Sequence, residues 1–117
     1  MANAAKRKGD TFERDVVAYL REQGFPYVER AYGAGRPEDV GDLDGIPGWV
    51  FELKNHKSID LAGWVDEARR EQANARAQFG VVVAKRRGRQ AREAYVVMDL
   101  EQLARLLRER DALGVGS

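Results

Sequence analysis

Apolar positions along this chain change spacing from helical to strand-like and back, and that alternation predicts its elements. Phe12, Val16, Val17 and Leu20 recur at intervals of three and four, as on one face of a helix. Asp10 stands where an N-cap would, Glu13 follows three residues on as in a capping box, and Gly24 falls at the C′ position. Residues 26–32 read as a first strand with Pro26 at its tolerated start, and residues 40–46 as a short second one. A turn containing Gly45, Pro47 and Gly48 then leads into a third strand over residues 49–55. From Asp60, a second N-cap, a helix to about Gln78 carries Leu61, Trp64, Val65, Ala68, Ala75 and Phe79, with Gln72 in line with Ala68 and Ala75. Phe79-Gly80-Val81-Val82-Val83-Ala84 is apolar throughout, the mark of a strand buried on both faces at a sheet centre. Residues 94–98 supply a further strand. Asp99 with Gln102 opens a last helix bearing Leu100, Leu103, Leu106 and Leu107. Residues 1–8 read as a flexible basic arm and 113–117 as a frayed tail.

A length of 117 residues predicts one domain spanning 1–117. The order helix, three strands, helix, strand, strand, helix predicts an α/β fold, a central mixed sheet flanked by helices. No apolar run is long enough to span a bilayer and none follows the N-terminal charges, so the expected location is cytoplasmic. Zero cysteines exclude disulfides and thiolate metal sites, and the single His56 argues against a histidine zinc site or a Ser-His-Asp triad. Oxygen-based chemistry remains. Net charge is only +1, so a case for nucleic acid has to come from charge distribution. Lys6, Arg7 and Lys8 cluster near the start, and Lys85, Arg86, Arg87, Arg89 and Arg92 in one loop, while Glu38, Asp39, Asp42, Asp44 and Glu52 concentrate acid between them. The loop run reads either as a DNA-binding rim or as a solvated hairpin tip.

The chemistry concentrates in Trp49-Val50-Phe51-Glu52-Leu53-Lys54, a strand with an apolar body that ends in an acid and a base. The strand period of two puts Glu52 and Lys54 on one face, where charge needs a partner or a ligand. A hairpin through the Gly45–Gly48 turn could return Asp42 beside Glu52. Two converging carboxylates suit a hard, oxygen-preferring cation such as magnesium. Asp42 and Asp44 share a face, so the period alone leaves a choice between them.

Asp42, a short loop, then Glu52-Leu53-Lys54 resembles the D…(D/E)-x-K signature of the PD-(D/E)XK nuclease superfamily, with Gly41 where many members have proline. With the order of elements along the whole chain, it resembles the Holliday junction resolvases of archaea and phages. The resemblance implies a restriction-endonuclease-like core and selects Asp42 over Asp44. It also implies magnesium, with manganese as a substitute, held by Asp42, Glu52, the Leu53 carbonyl and Glu13, and a bacterial or archaeal host cell. Glu13 keeps a competing reading as a capping-box residue. Lys54 would orient or deprotonate the attacking water, or stabilise charge at phosphorus. The expected substrate is a four-way DNA junction, cut by a homodimer in paired symmetric nicks. The expected dimer surface lies on the last helix or around Trp64. Candidate DNA contacts are Lys6, Arg7, Lys8, Arg36, Lys57, Gln72, Lys85, Arg86, Arg87 and Arg89, Gln72 having a purely structural role as its alternative. The competing functions are a repair or restriction-like nuclease acting on duplex, flap or single-stranded DNA, and a catalytically silent DNA-binding module.

Overall fold

The computed structural model of the chain describes residues 4–31 and 39–114, with side chains from residue 7 onward. Helix α1 (Ala4–Glu22) buries Phe12, Val16 and Val17, as its stripe predicts, against Val28, Leu43, Leu53 and Val83. Each such side chain contributes roughly 1.5–3 kcal/mol by leaving water. Gly24 at φ 103° closes the helix, with Phe25 N–H donating to the Leu20 carbonyl at 3.1 Å. Its start differs from expectation. The good helix formers before Gly9 continue the helix upstream of Asp10, so residues 4–8 are helical rather than an unstructured arm. Asp10 and Glu13, freed from capping, both bind the Arg30 guanidinium at 2.8 Å.

Strands β1 (Glu29–Arg30) and β2 (Leu43–Asp44) pair antiparallel and are only two residues long each. Gly41 and Gly45, at φ 97° and 106°, interrupt extended backbone where longer strands were expected, and Gly45 packs directly on the Tyr27 carbonyl. Backbone bonds from Ala31 N–H to the Asp42 carbonyl and from Asp42 N–H to the Phe51 carbonyl, both 2.8 Å, carry this ribbon onto β3 (Trp49–Lys54). Strand β3 runs parallel to β4 (Phe79–Ala84), which pairs antiparallel with β5 (Tyr95–Val97). The architecture is therefore α/β with mixed strand pairing. The wholly buried β4 is the middle strand, as its apolar run predicts.

The crossover from β3 to β4 is helix α2 (Leu61–Ala75), capped by the Asp60 carboxylate, which accepts from Gly63 N–H at 3.0 Å. The helix ends earlier than expected: Arg76, at φ 54°, is left-handed and Ala77 N–H donates to the Gln72 carbonyl at 3.0 Å, while the Gln72 amide donates to the Ala77 and Gln78 carbonyls at 3.2 and 3.1 Å. α1 and α2 cover opposite faces of the sheet. Leu53 and Val83 pack with α1, whereas Val82 and Ala84 pack with Trp64 and Ala68 of α2. Glu52 is registered with Val82 and Lys54 with Ala84, so the acid and base project toward α2. The acid and base thus lie on the face away from α1.

Helix α3 (Leu100–Ala112) follows the short 3₁₀ turn at Ala91–Glu93 and β5. Its leucine stripe faces outward, Leu100, Leu103 and Leu107 all being exposed, while Gln102 is fully buried. β5 reaches only Val82, leaving the outer edge of β4 unpaired at Gly80. The Gln102 amide takes that place, accepting from Gly80 N–H at 2.7 Å and donating to its carbonyl at 2.8 Å. A side chain thus extends the ladder by one residue. Trp64, the other expected dimer contact, is buried. No helix among the described residues is long and apolar enough to cross a membrane.

Candidate functional site

Glu67 and Glu71 lie four residues apart on α2, on the helix face that meets Glu52 and Lys54. Lys54 Nζ sits 3.3 Å from Glu52 Oε1 and 2.7 Å from Glu67 Oε1. Burial pulls the Lys54 amine down, but the hydrogen bond to Glu67 and the Glu52 carboxylate outweigh it and leave its pKa raised. Lys54 is therefore a held cation, and of its expected roles orientation and charge stabilisation fit better than proton abstraction.

Asp42 reaches the same place from the loop before β2, with Oδ2 accepting from Leu53 N–H at 2.7 Å. Burial, reinforced by the charges of Glu52, Glu13 and Asp39, pushes its pKa up to about 7, against the opposing Leu53 hydrogen bond. The expected convergence of Asp42 with Glu52 holds. Asp44 sits opposite Glu29 in the ribbon instead. Glu13 is near enough to contribute to Asp42's elevation but is engaged by Arg30, so it borders the acids through a salt bridge and caps nothing.

The most constrained acid is Glu71. Its residue is 2% exposed, no protein N–H donates to either carboxylate oxygen, and its neighbour is the Glu52 carboxyl. Burial first, then Glu52, Asp39 and Asp42, push its pKa up to about 10. A hydrogen bond between Glu71 and Glu52 requires one of the two to carry a proton, because two carboxylates have no donor between them. Asp39, exposed, completes the group: its Oδ1 accepts from Gly41 N–H at 3.0 Å, and its carbonyl accepts from the Asn74 amide at 2.9 Å. Oxygens of Asp39, Glu67 and Glu71 lie within 4.8 Å of one another, the one such trio of acids among the described residues. Asp42, Glu52 and Glu13 do not form an equally tight trio.

Sequence reasoning missed Asp39, Glu67 and Glu71 as site residues, although one signal was available. Trp64, Ala68, Glu71 and Ala75 follow the intervals four, three and four, so Glu71 occupies the buried stripe of α2. Gln72, placed in that line instead, donates its amide to the Ala77 and Gln78 carbonyls, as its structural alternative expects.

Such crowding is what a hard cation relieves. The donors are all oxygen, and no protein N–H donates to either oxygen of Glu71 in its dry position. The carboxylates of Asp39, Glu67 and Glu71 could therefore hold a divalent ion.

Beyond Lys54 the surface changes sign. A cleft of about 970 Å³ is lined by Arg7, Lys8, Lys57, Lys85, Arg86, Arg87 and Arg89, with Lys54, Trp64 and Tyr95. Seven of the ten expected DNA contacts thus share one cavity wall, drawn from the start of α1, the end of β3 and the loop after β4. The Asn55 amide donates to the Lys8 carbonyl at 3.2 Å and joins two of these walls. Lys85 Nζ donates to the Arg89 carbonyl at 3.0 Å, and Arg86 lies 5.0 Å over the Tyr95 ring, so the loop is a braced wall rather than a loose tip. Arg36 and the Lys6 side chain lie outside the described residues. No protein-family model matches the chain.

Proposed function

We propose that the chain is a magnesium-dependent DNA endonuclease with a restriction-endonuclease-like core, acting as a homodimer on four-way junctions. One observation carries the reading: Lys54 joins a buried acidic pocket to a basic cleft, so a phosphate held by the cleft can reach the acids. Asp42, Glu52 and the Leu53 carbonyl would hold magnesium, with Glu13 at the border. Bound there, the ion supplies positive charge opposite the phosphate and lowers the pKa of water.

The chain's own groups do the rest. Lys54 donates to Glu52 and Glu67 and has a third N–H for a phosphate oxygen or the attacking water. Asp42, held by Leu53 N–H, stays fixed beside Glu52 as charge enters the site. Arg86, Arg87 and Lys57 bind the backbone without reading bases, which suits recognition by shape. Tyr95, Val96, Leu100 and Leu103, exposed along β5 and α3, offer apolar surface for a two-fold dimer.

The test compares magnesium-dependent cleavage of a mobile four-way junction with that of linear duplex, flap and single-stranded DNA, alongside molecular mass in solution. Paired symmetric nicks by a dimer support a junction resolvase. Equal or faster cutting of the other substrates replaces it with a repair or restriction-like nuclease. Binding without any metal-dependent cleavage leaves a DNA-binding module.

A further inference from the structure

Asp39, Glu67 and Glu71 come from a loop and one helix, yet their carboxylate oxygens lie within 4.8 Å of one another. Asp39 and Glu67 each direct one oxygen to a protein donor, Gly41 N–H and Lys54 Nζ respectively. Glu71 directs neither. Its 2% exposure removes the explanation that usually covers acidic clusters, solvation by water, and without a cation only a proton shared with Glu52 relieves its contact with the neighbouring carboxyls. The Asn74 amide, bonded to the Asp39 carbonyl at 2.9 Å, ties the loop to α2 and holds Asp39 over the buried acid.

We propose that Asp39, Glu67 and Glu71 form a cation site of their own, distinct from the Asp42 and Glu52 pair, for a hard divalent ion such as magnesium or manganese. Around an octahedral ion with ligands at about 2.1 Å, cis oxygens lie about 3.0 Å apart and trans oxygens about 4.2 Å, so side-chain rotation must draw these three oxygens, now within 4.8 Å, closer together on binding. Asp39, exposed, provides the entry side, where water fills the remaining positions. Glu67 links this ion to Lys54, and through Lys54 to Glu52. The ion would therefore set how strongly Lys54 is drawn toward α2. The proposal goes beyond the nuclease reading and stands whether or not the chain cleaves DNA.

Its test is manganese binding by the full chain without DNA, followed by electron paramagnetic resonance and by thermal melting. Wild type is expected to bind an ion that Glu71→Gln and Asp39→Asn each weaken at least tenfold and that Asp42→Asn retains. Manganese is expected to raise the melting temperature of wild type and to leave Glu71→Gln nearly unchanged. Glu71→Gln without metal should melt at or above wild type, because it replaces a buried acid crowded by Glu52 and Asp39 with a neutral amide that can donate to them. Asp39→Asn changes an exposed residue and decides the matter if Glu71→Gln fails to fold. Unaltered manganese binding by the Asp39 variant, or by a folded Glu71→Gln, overturns the proposal. Loss of the same ion in Asp42→Asn also overturns it, by showing a single shared site.

Discussion

Raising the pH should destabilise the metal-free chain, and the site geometry sets the sign. Asp42 rises from 3.8 to about 7 and Glu71 from 4.5 to about 10, burial being the first cause of both and neighbouring acids the next. An acid whose pKa is raised by folding binds more protons folded than unfolded. Its contribution is complete below the unfolded pKa and is lost as pH climbs toward the folded one. For Asp42 that window runs from about pH 4 to about 7, and Glu71 extends the loss in the same direction to higher pH. Asp42 acting alone has an upper limit of about 4 kcal/mol. It is only partly enclosed, which reduces the expected loss to on the order of 2 kcal/mol between pH 5 and pH 8. Magnesium at a hundredfold excess over its dissociation constant adds about 2.7 kcal/mol, so its stabilisation should offset part of the combined loss at pH 8 and fade at pH 5. Urea unfolding at several pH values, in chelator and in magnesium, measures both quantities. Stability that is flat or rising from pH 5 to 8 in chelator would refute the crowded-acid account.

Other outcomes follow from particular contacts. Asp42→Ala, Glu52→Ala and Lys54→Ala should each lower cleavage at least about a hundredfold while junction binding survives, whereas Asp44→Ala should keep most activity; single-turnover cleavage beside gel-shift binding separates the two effects. Neutralising Arg86, Arg87 and Arg89 should weaken binding similarly across DNA sequences and reduce the salt slope by up to about one unit per lost phosphate contact; an unchanged slope would make the cleft wall irrelevant to DNA. Gln102→Leu should destabilise by about 1–3 kcal/mol in urea unfolding, because it strips both Gly80 backbone groups of their partner. Gly80→Ala should cost a similar amount, since a Cβ there would stand 2.5 Å from the Ala68 carbonyl oxygen.

The elements themselves were legible from apolar spacing, because local periodicity decides which face of a helix or strand can leave water. The α1 stripe, the buried β4 and the α2 cap at Asp60 all stand where the residues place them. The pairing of Asp42 with Glu52 was legible too, since a short hairpin limits where the chain can return. Expectations failed where local and tertiary partners compete for one group. Asp10 and Glu13 have the spacing of a helix cap, yet Arg30, distant in sequence, takes both carboxylates. Gln102 looks like a helix-start residue, but the short β5 leaves Gly80 with open backbone groups that its amide fills. Opposite the acid and base of β3, the sequence by itself determined only that one helix crosses over between parallel strands. Which face that helix covers, and therefore that Glu67, Glu71 and Asp39 crowd Lys54 and Glu52, was decided by tertiary packing. The spacing of residues along a chain constrains neighbours within a turn or a hairpin, whereas contacts between a loop, a helix and a strand depend on how the layers close.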